Sequence, residues 1–146
     1  MTQQPTLKKI LYVEDSEILQ KLMVLVLKQY EVTVALTSKQ ALEKLETEYF
    51  DCFILDIHLS DDDNGVNLCK AIRQYKQYEK TPIIALTAIQ KKDILKHIHP
   101  GGFDDYICKP FDTNDVVRMV SFFCHTSAKS VSAESNSPKF IPHKHE

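Results

Sequence analysis

Apolar residues along this chain fall into two alternating patterns. Five short runs, residues 10–13 (ILYV), 32–36 (VTVAL), 52–55 (CFIL), 83–86 (IIAL) and 106–108 (YIC), are rich in β-branched and aromatic side chains. Three of them are nearly continuous in hydrophobicity, which is how strands buried on both faces of a parallel sheet read. Between the runs, apolar residues recur at helical spacing. One set, Ile18, Leu19, Leu22, Met23, Leu25 and Val26, follows Ser16 as a candidate cap, and a second, Ala41, Leu42 and Leu45, follows Ser38. A third follows Gly65 (Val66, Leu68, Cys69, Ile72), and a weak fourth covers residues 91–98. A fifth follows Asp112 or Thr113 (Val116, Val117, Met119, Val120, Phe123). A small polar residue ahead of an apolar-periodic run is the usual helix start. Strand and helix thus alternate five times, which predicts an open α/β sandwich on a parallel sheet.

Composition adds limits rather than a function. The chain has 146 residues, 18 basic and 20 acidic side chains and a formal charge of −2, and it is 43% hydrophobic. Those values fit one globular domain with a real core and exclude collagen-like or wholly disordered readings. Near-neutral charge argues against nucleic acid or a membrane surface as partner. Four cysteines in a chain of this length are not a disulfide framework. No apolar run approaches the roughly 20 residues of a membrane span, and the N-terminus lacks a signal-peptide core. The expected location is therefore cytoplasmic. Residues 125–146 differ from the rest: only five of those 22 are apolar, five are Ser and two are Pro. Such a stretch buries too little surface to order itself and reads as a flexible polar tail.

Ligands of open α/β sheets bind beyond the carboxyl ends of the strands, so the residue closing each strand matters most. The first run ends in Glu14-Asp15, the third in Asp56, the fourth in Thr87 and the fifth in Lys109-Pro110. Taken singly, an Asp or Thr after a strand is an ordinary helix cap and Lys-Pro an ordinary loop. Parallel strands change this, because they bring all of these groups to one edge. Two carboxylates ~4 Å apart repel by about 4 kcal/mol at an effective dielectric near 20. Protonation of one of them, or a divalent cation with Lys109 beside it, relieves that repulsion. Oxygen-only ligands suit Mg²⁺, or Mn²⁺, rather than zinc. Carboxylate, Mg²⁺, Lys and Thr together fit phosphoryl transfer, with a carboxylate as the attacking group.

The blocks LYVED, FILDIHL, IIALTA and DDYICKPF place Asp15, Asp56, Thr87 and Lys109 at successive spacings of 41, 31 and 22 residues. In that order they resemble the receiver domain of two-component response regulators, over residues 8–124. The resemblance implies a flavodoxin-like three-layer α/β/α sandwich with a five-stranded parallel sheet of order 2-1-3-4-5 and five helices. Residues 1–7 would be an N-terminal extension. Asp56 would be the phosphoacceptor. Asp15 and Asp56 would hold Mg²⁺, with Glu14 acting through water and the backbone carbonyl of His58 as a further ligand. Thr87, Ala88 and Lys109 would bind the phosphoryl oxygens. Thr87 and Tyr106 would form the switch, and Pro110 matches a position often cis.

By the same resemblance, the phosphodonor would be a sensor histidine kinase or a histidine phosphotransfer protein. A downstream protein would read the face made by the fourth helix, fifth strand and fifth helix. The chain would not be an enzyme beyond Mg²⁺-dependent self-phosphorylation and autodephosphorylation. It would act as a stand-alone receiver, since only the polar tail follows. The alternative is an interaction module of the same fold that works without phosphorylation. A dehalogenase-type phosphatase is disfavoured because His58 stands where a second carboxylate is needed.

Two segments depart from the family pattern. After Asp56 the family has Pro four residues on and Gly eight on; here Ser60 and Gly65 stand four and nine on. The extra residue lies in an acidic stretch, Asp61, Asp62 and Asp63, which reads first as a solvated turn and more sharply as a tuner of partner choice or metal affinity. The fourth helix is short in apolar pattern and is followed by His99-Pro100-Gly101-Gly102, which implies an altered output face. Cys52, Cys69, Cys108 and Cys124 read as buried small apolar groups. His143 and His145 could hold a metal adventitiously but are not expected to form a physiological site, and neither His97 nor His99 has a recognisable phosphotransfer context.

Overall fold

A computed structural model describes residues 6–59, 63–88, 96 and 102–125. Five strands form the sheet: β1 Lys9–Val13, β2 Glu31–Ala35, β3 Cys52–Asp56, β4 Ile83–Thr87 and β5 Asp105–Cys108. All pair in parallel, in the order β2-β1-β3-β4-β5. Among the described residues four α-helices accompany them: α1 Glu17–Val26, α2 Ser38–Leu45, α3 Gly65–Arg73 and α4 Thr113–His125. A 3-10 turn, Lys76–Tyr78, follows α3. Apart from Lys96, which is helical, and Gly102, the fourth predicted helix and the turn after it lie outside the described residues, as do residues 1–5, Ser60, Asp61, Asp62 and the tail beyond His125. The last helix includes His125, one residue past the predicted domain end. No helix among the described residues is long and apolar enough to cross a membrane.

Strand alternation sorts the core into two layers. Leu11, Val13, Phe53, Leu55, Ile83 and Ala85 face one side of the sheet, where Ala41 and Leu45 of α2 and Leu68 and Ile72 of α3 cover them. Ile10, Tyr12, Ile54, Ile84, Leu86 and Ile107 face the other, under Met23 of α1 and Val116, Met119 and Val120 of α4. Every residue of β3 and β4 is buried, which accounts for their unbroken apolar runs. Each fully buried Leu or Ile contributes about 1.5–3 kcal/mol. Of the cysteines, Cys52, Cys69 and Cys124 are buried and Cys108 is partly so; burial pushes the Cys69 thiol up to about 12.

Helix starts follow from their caps. Ser16 Oγ accepts from the Leu19 N–H at 3.3 Å. Asn64 Oδ1 accepts from the Asn67 N–H at 2.8 Å, and Asp112 Oδ1 from the Asn114 N–H at 2.7 Å. The second helix corrects the sequence reading by one residue. Thr37, not Ser38, is the N-cap: its backbone is extended (φ −138°, ψ 164°) and its hydroxyl accepts from the Gln40 N–H at 3.1 Å. Arg73, at the end of α3, gathers the far side of the fold. Its guanidinium donates to the carbonyls of Gly102, Tyr78, Glu79 and Thr81 and to the Asp104 carboxylate.

Candidate phosphoacceptor site

Register brings the strand ends together. Val13 pairs with Leu55, Asp56 with Leu86 and Thr87 with Cys108. Glu14 and Asp15 therefore leave β1 beside Asp56, while Lys109 leaves β5 beside Thr87. The Lys109 N–H donates to the Thr87 carbonyl at 2.7 Å, and the Lys109–Pro110 peptide is cis. Glu14, Asp56 and Thr87 are almost wholly buried, at 1%, 3% and 0% exposure. Buried ionised groups need partners, and the local geometry supplies them.

Lys109 Nζ lies 2.9 Å from Asp56 Oδ2 and 3.2 Å from Glu14 Oε1. Asp56 Oδ1 accepts from the His58 N–H at 3.1 Å. Glu14 accepts from the Tyr12 hydroxyl at 2.8 Å and from the Ser16 N–H at 3.1 Å. Its backbone carbonyl accepts from Gln20 Nε2 at 2.6 Å, tying α1 to the end of β1. Gly65 closes the floor: a β-carbon there would lie 2.3 Å from the Asp56 carbonyl oxygen. Its N–H donates to the Ile57 carbonyl at 2.8 Å.

The electrostatics follow from crowding. Burial raises the Glu14 carboxyl above its ordinary range; the Tyr12 hydrogen bond works against that and the Asp56 charge adds to it. Burial, then the Glu14 charge, pushes the Tyr12 phenol well above its usual value, so it remains a donor. Burial works against the Lys109 charge, but its hydrogen bond to Asp56 and the charges of Asp56 and Glu14 prevail and raise its pKa.

Carboxylate oxygens of Glu14, Asp15 and Asp56 all lie within 4.8 Å of one another. Three hard oxygen donors facing one ammonium fit Mg²⁺, or Mn²⁺, which takes one or two carboxylates and keeps waters. The donor set contains no sulfur or imidazole nitrogen of the kind zinc prefers. Of the residues singled out from sequence, the structure brings Glu14, Asp15, Asp56, Thr87 and Lys109 to this edge. Ala88 is exposed just past β4, and Tyr106 is half-buried on β5 against the α2–α3 layer.

Sequence reasoning missed three contributors. Tyr12 lies two residues before Glu14 on the same strand face, and that spacing was the available signal. Gln20, on α1, and the close approach of Gly65 left no such signal in the pattern.

A family profile described as the response regulator receiver domain matches residues 10–121. The response regulator ArlR of Staphylococcus saprophyticus is 36% identical over 116 residues, covering 77% of this chain and 50% of that protein. The transcriptional regulatory protein CrdR of Helicobacter pylori is 34% identical over 119 residues, covering 80% of this chain and 55% of that protein. The chain thus spans about half the length of these two relatives. Among solved structures, the chemotaxis response regulator CheY4 of Vibrio cholerae superposes with a TM-score of 0.74 at 28% identity, over 80% of this chain and 98% of that one. The receiver domain of the sensor histidine kinase PA1611 of Pseudomonas aeruginosa, solved with magnesium in its active-site cleft, gives 0.72 at 28% identity, over 80% and 97%.

Proposed function

This chain belongs to the response regulator receiver domain family of two-component signalling, and from that premise we propose that it is a phosphoacceptor switch with Asp56 as the acceptor. The observation that carries this reading is the Asp56 carboxylate, 3% exposed, shared between Lys109 at 2.9 Å and the Glu14–Asp15 pair. Asp56 attacks the phosphorus of a phosphohistidine on a histidine kinase or phosphotransfer protein. The new oxygen–phosphorus bond forms as the phosphorus–nitrogen bond breaks, and its electron pair leaves on the imidazole nitrogen. Asp15, Asp56 and the His58 carbonyl would hold Mg²⁺, with Glu14 supporting it through water. When bound, Mg²⁺ supplies positive charge to the phosphoryl oxygens. Lys109 and the Thr87 hydroxyl hold the phosphoryl oxygens, and Ala88, small and exposed beside Thr87, leaves the site open.

The response is a population shift. Phosphorylated Asp56 draws Thr87 inward, Tyr106 follows, and the face around β5 and α4 changes its affinity for a partner protein. The chain turns over only its own acyl phosphate. The test uses Mg²⁺ with acetyl phosphate or with a phosphorylated histidine kinase. One phosphoryl mass is expected on the unaltered chain and none on Asp56→Asn. Absence of an adduct from both donors overturns the reading. Beryllofluoride with Mg²⁺ is expected to shift the amide resonances of Thr87 and Tyr106, and an unchanged spectrum favours the phosphorylation-independent module.

A further inference from the structure

The acidic loop after Asp56 has one described carboxylate, and it is anchored. Asp63 Oδ2 accepts from the Ser38 N–H at 2.8 Å, across 25 residues of sequence. Ser38 is the first residue of α2, so its N–H is one of the donors a helix leaves without an internal partner. The helix dipole favours a carboxylate at that end. The contact continues towards the site in short steps. Asn64, next to Asp63, pairs with His58 in an antiparallel bridge. The His58 N–H donates to Asp56 Oδ1 at 3.1 Å. Gly65 meanwhile passes so near the Asp56 carbonyl that a β-carbon there would meet its oxygen at 2.3 Å, and its N–H donates to the Ile57 carbonyl. The Ile57–His58 peptide is therefore held at its N–H by the Asp56 side chain and at its carbonyl by Gly65, in a loop moored on α2, and this sets where the His58 carbonyl that follows can lie.

We propose that Asp63 is a positioning residue for the metal and phosphoryl site, fixing the His58 peptide through its bond to the Ser38 N–H. This rests on the functional reading above. The role belongs to geometry rather than to added negative charge, because the carboxylate is spent on a backbone donor of another element. Ser38 offers a clean way to remove the donor. Proline is favoured at the first position of a helix, and the extended backbone of Thr37 is the conformation a residue before proline adopts. The Ser38 hydroxyl has no hydrogen-bond partner among the described residues, so little else is lost.

The experiment titrates Mg²⁺ by calorimetry into the unaltered chain, Asp63→Ala, Asp63→Asn, Ser38→Pro and the double variant Asp63→Ala/Ser38→Pro. Melting temperature and amide exchange at His58 are followed in the metal-free protein. Asp63→Ala and Ser38→Pro are each expected to weaken Mg²⁺ binding by roughly tenfold, the low end for outer-shell partners, and the double variant by no more than either alone. The carboxamide of Asp63→Asn keeps an acceptor oxygen and is expected to stay within about twofold of the unaltered chain. His58 exchange should quicken in Asp63→Ala and Ser38→Pro and not in Asp63→Asn. Unaltered affinity in both Asp63→Ala and Ser38→Pro overturns the inference, as does a loss in Asp63→Asn equal to that in Asp63→Ala, which assigns the effect to charge. If the unaltered chain binds no Mg²⁺ and takes no phosphoryl group, the functional reading itself fails, and this one with it.

Discussion

Replacing Asp56 with Asn keeps the shape of the side chain and removes one charge from the crowded edge. The charge has effects of both signs, and the distances allow them to be weighed. Its attraction to Lys109 at 2.9 Å is worth about 6 kcal/mol at an effective dielectric of 20. Its repulsion from Glu14 and Asp15, each no more than 4.8 Å away, is at least about 3.5 kcal/mol apiece at the same dielectric, or at least about 7 together. The difference, at least about 1 kcal/mol, favours the neutral side chain. Relief of the burial penalty on a carboxylate 3% exposed acts in the same direction. Lys109 is not orphaned, because Glu14 remains 3.2 Å away. The new carboxamide nitrogen can donate to a neighbouring carboxylate. The metal-free variant is therefore expected to be more stable by about 1–2 kcal/mol, or about 3–8 °C in melting temperature.

Mg²⁺ is expected to invert the order. A ligand at 100 times its Kd stabilises the folded state by about 2.7 kcal/mol, and on the proposed reading Asp56→Asn lacks one of the metal's ligands. Thermal denaturation in chelator and again in excess Mg²⁺ reads both effects. A variant that melts below the unaltered chain in chelator refutes the repulsion argument. Equal Mg²⁺ stabilisation of the two proteins refutes Asp56 as a ligand.

Other substitutions test the same site from different sides. Glu14→Gln is expected to raise the metal-free melting temperature, by a gap that widens from acidic to neutral pH. The raised Glu14 pKa, due first to burial and then opposed by Tyr12, means the folded chain holds the proton more tightly than the unfolded chain. Its stability contribution is present in acid and is lost as pH rises through the raised value; a gap that is constant with pH counts against this. Lys109→Met leaves Glu14 and Asp56 without their shared ammonium and is expected to lower both melting temperature and the yield of phosphoryl adduct. Because the Lys109 pKa is raised, its contribution persists across neutral pH and disappears only as pH climbs through the alkaline range. Gly65→Ala places a methyl group 2.3 Å from the Asp56 carbonyl oxygen and is expected to cost about 1–3 kcal/mol in urea denaturation. A neutral result there shows that the loop shifts freely.

How much of this was legible beforehand depended on range. Strands β3 and β4 were readable because burial on both faces demands an unbroken apolar run. The site was readable because parallel register carries the residue after each strand to one edge, whatever the side chains do. Glu14, Asp15, Asp56, Thr87 and Lys109 needed only strand ends and strand order. The second helix start was off by one because Thr37 and Ser38 are both competent caps, and only the extended backbone of Thr37 decides between them. Contacts that cross elements left no periodic trace. Arg73 reaches Gly102, 29 residues on, and Asp63 reaches back 25 residues to Ser38. The acidic loop had read first as a solvated turn, because hydropathy cannot distinguish a carboxylate facing water from one moored on a helix end. That is also why the extra residue after Asp56 matters. A longer loop has more conformations to lose, and a bond such as Asp63 to Ser38 selects among them, which an inserted polar residue without an anchor would not.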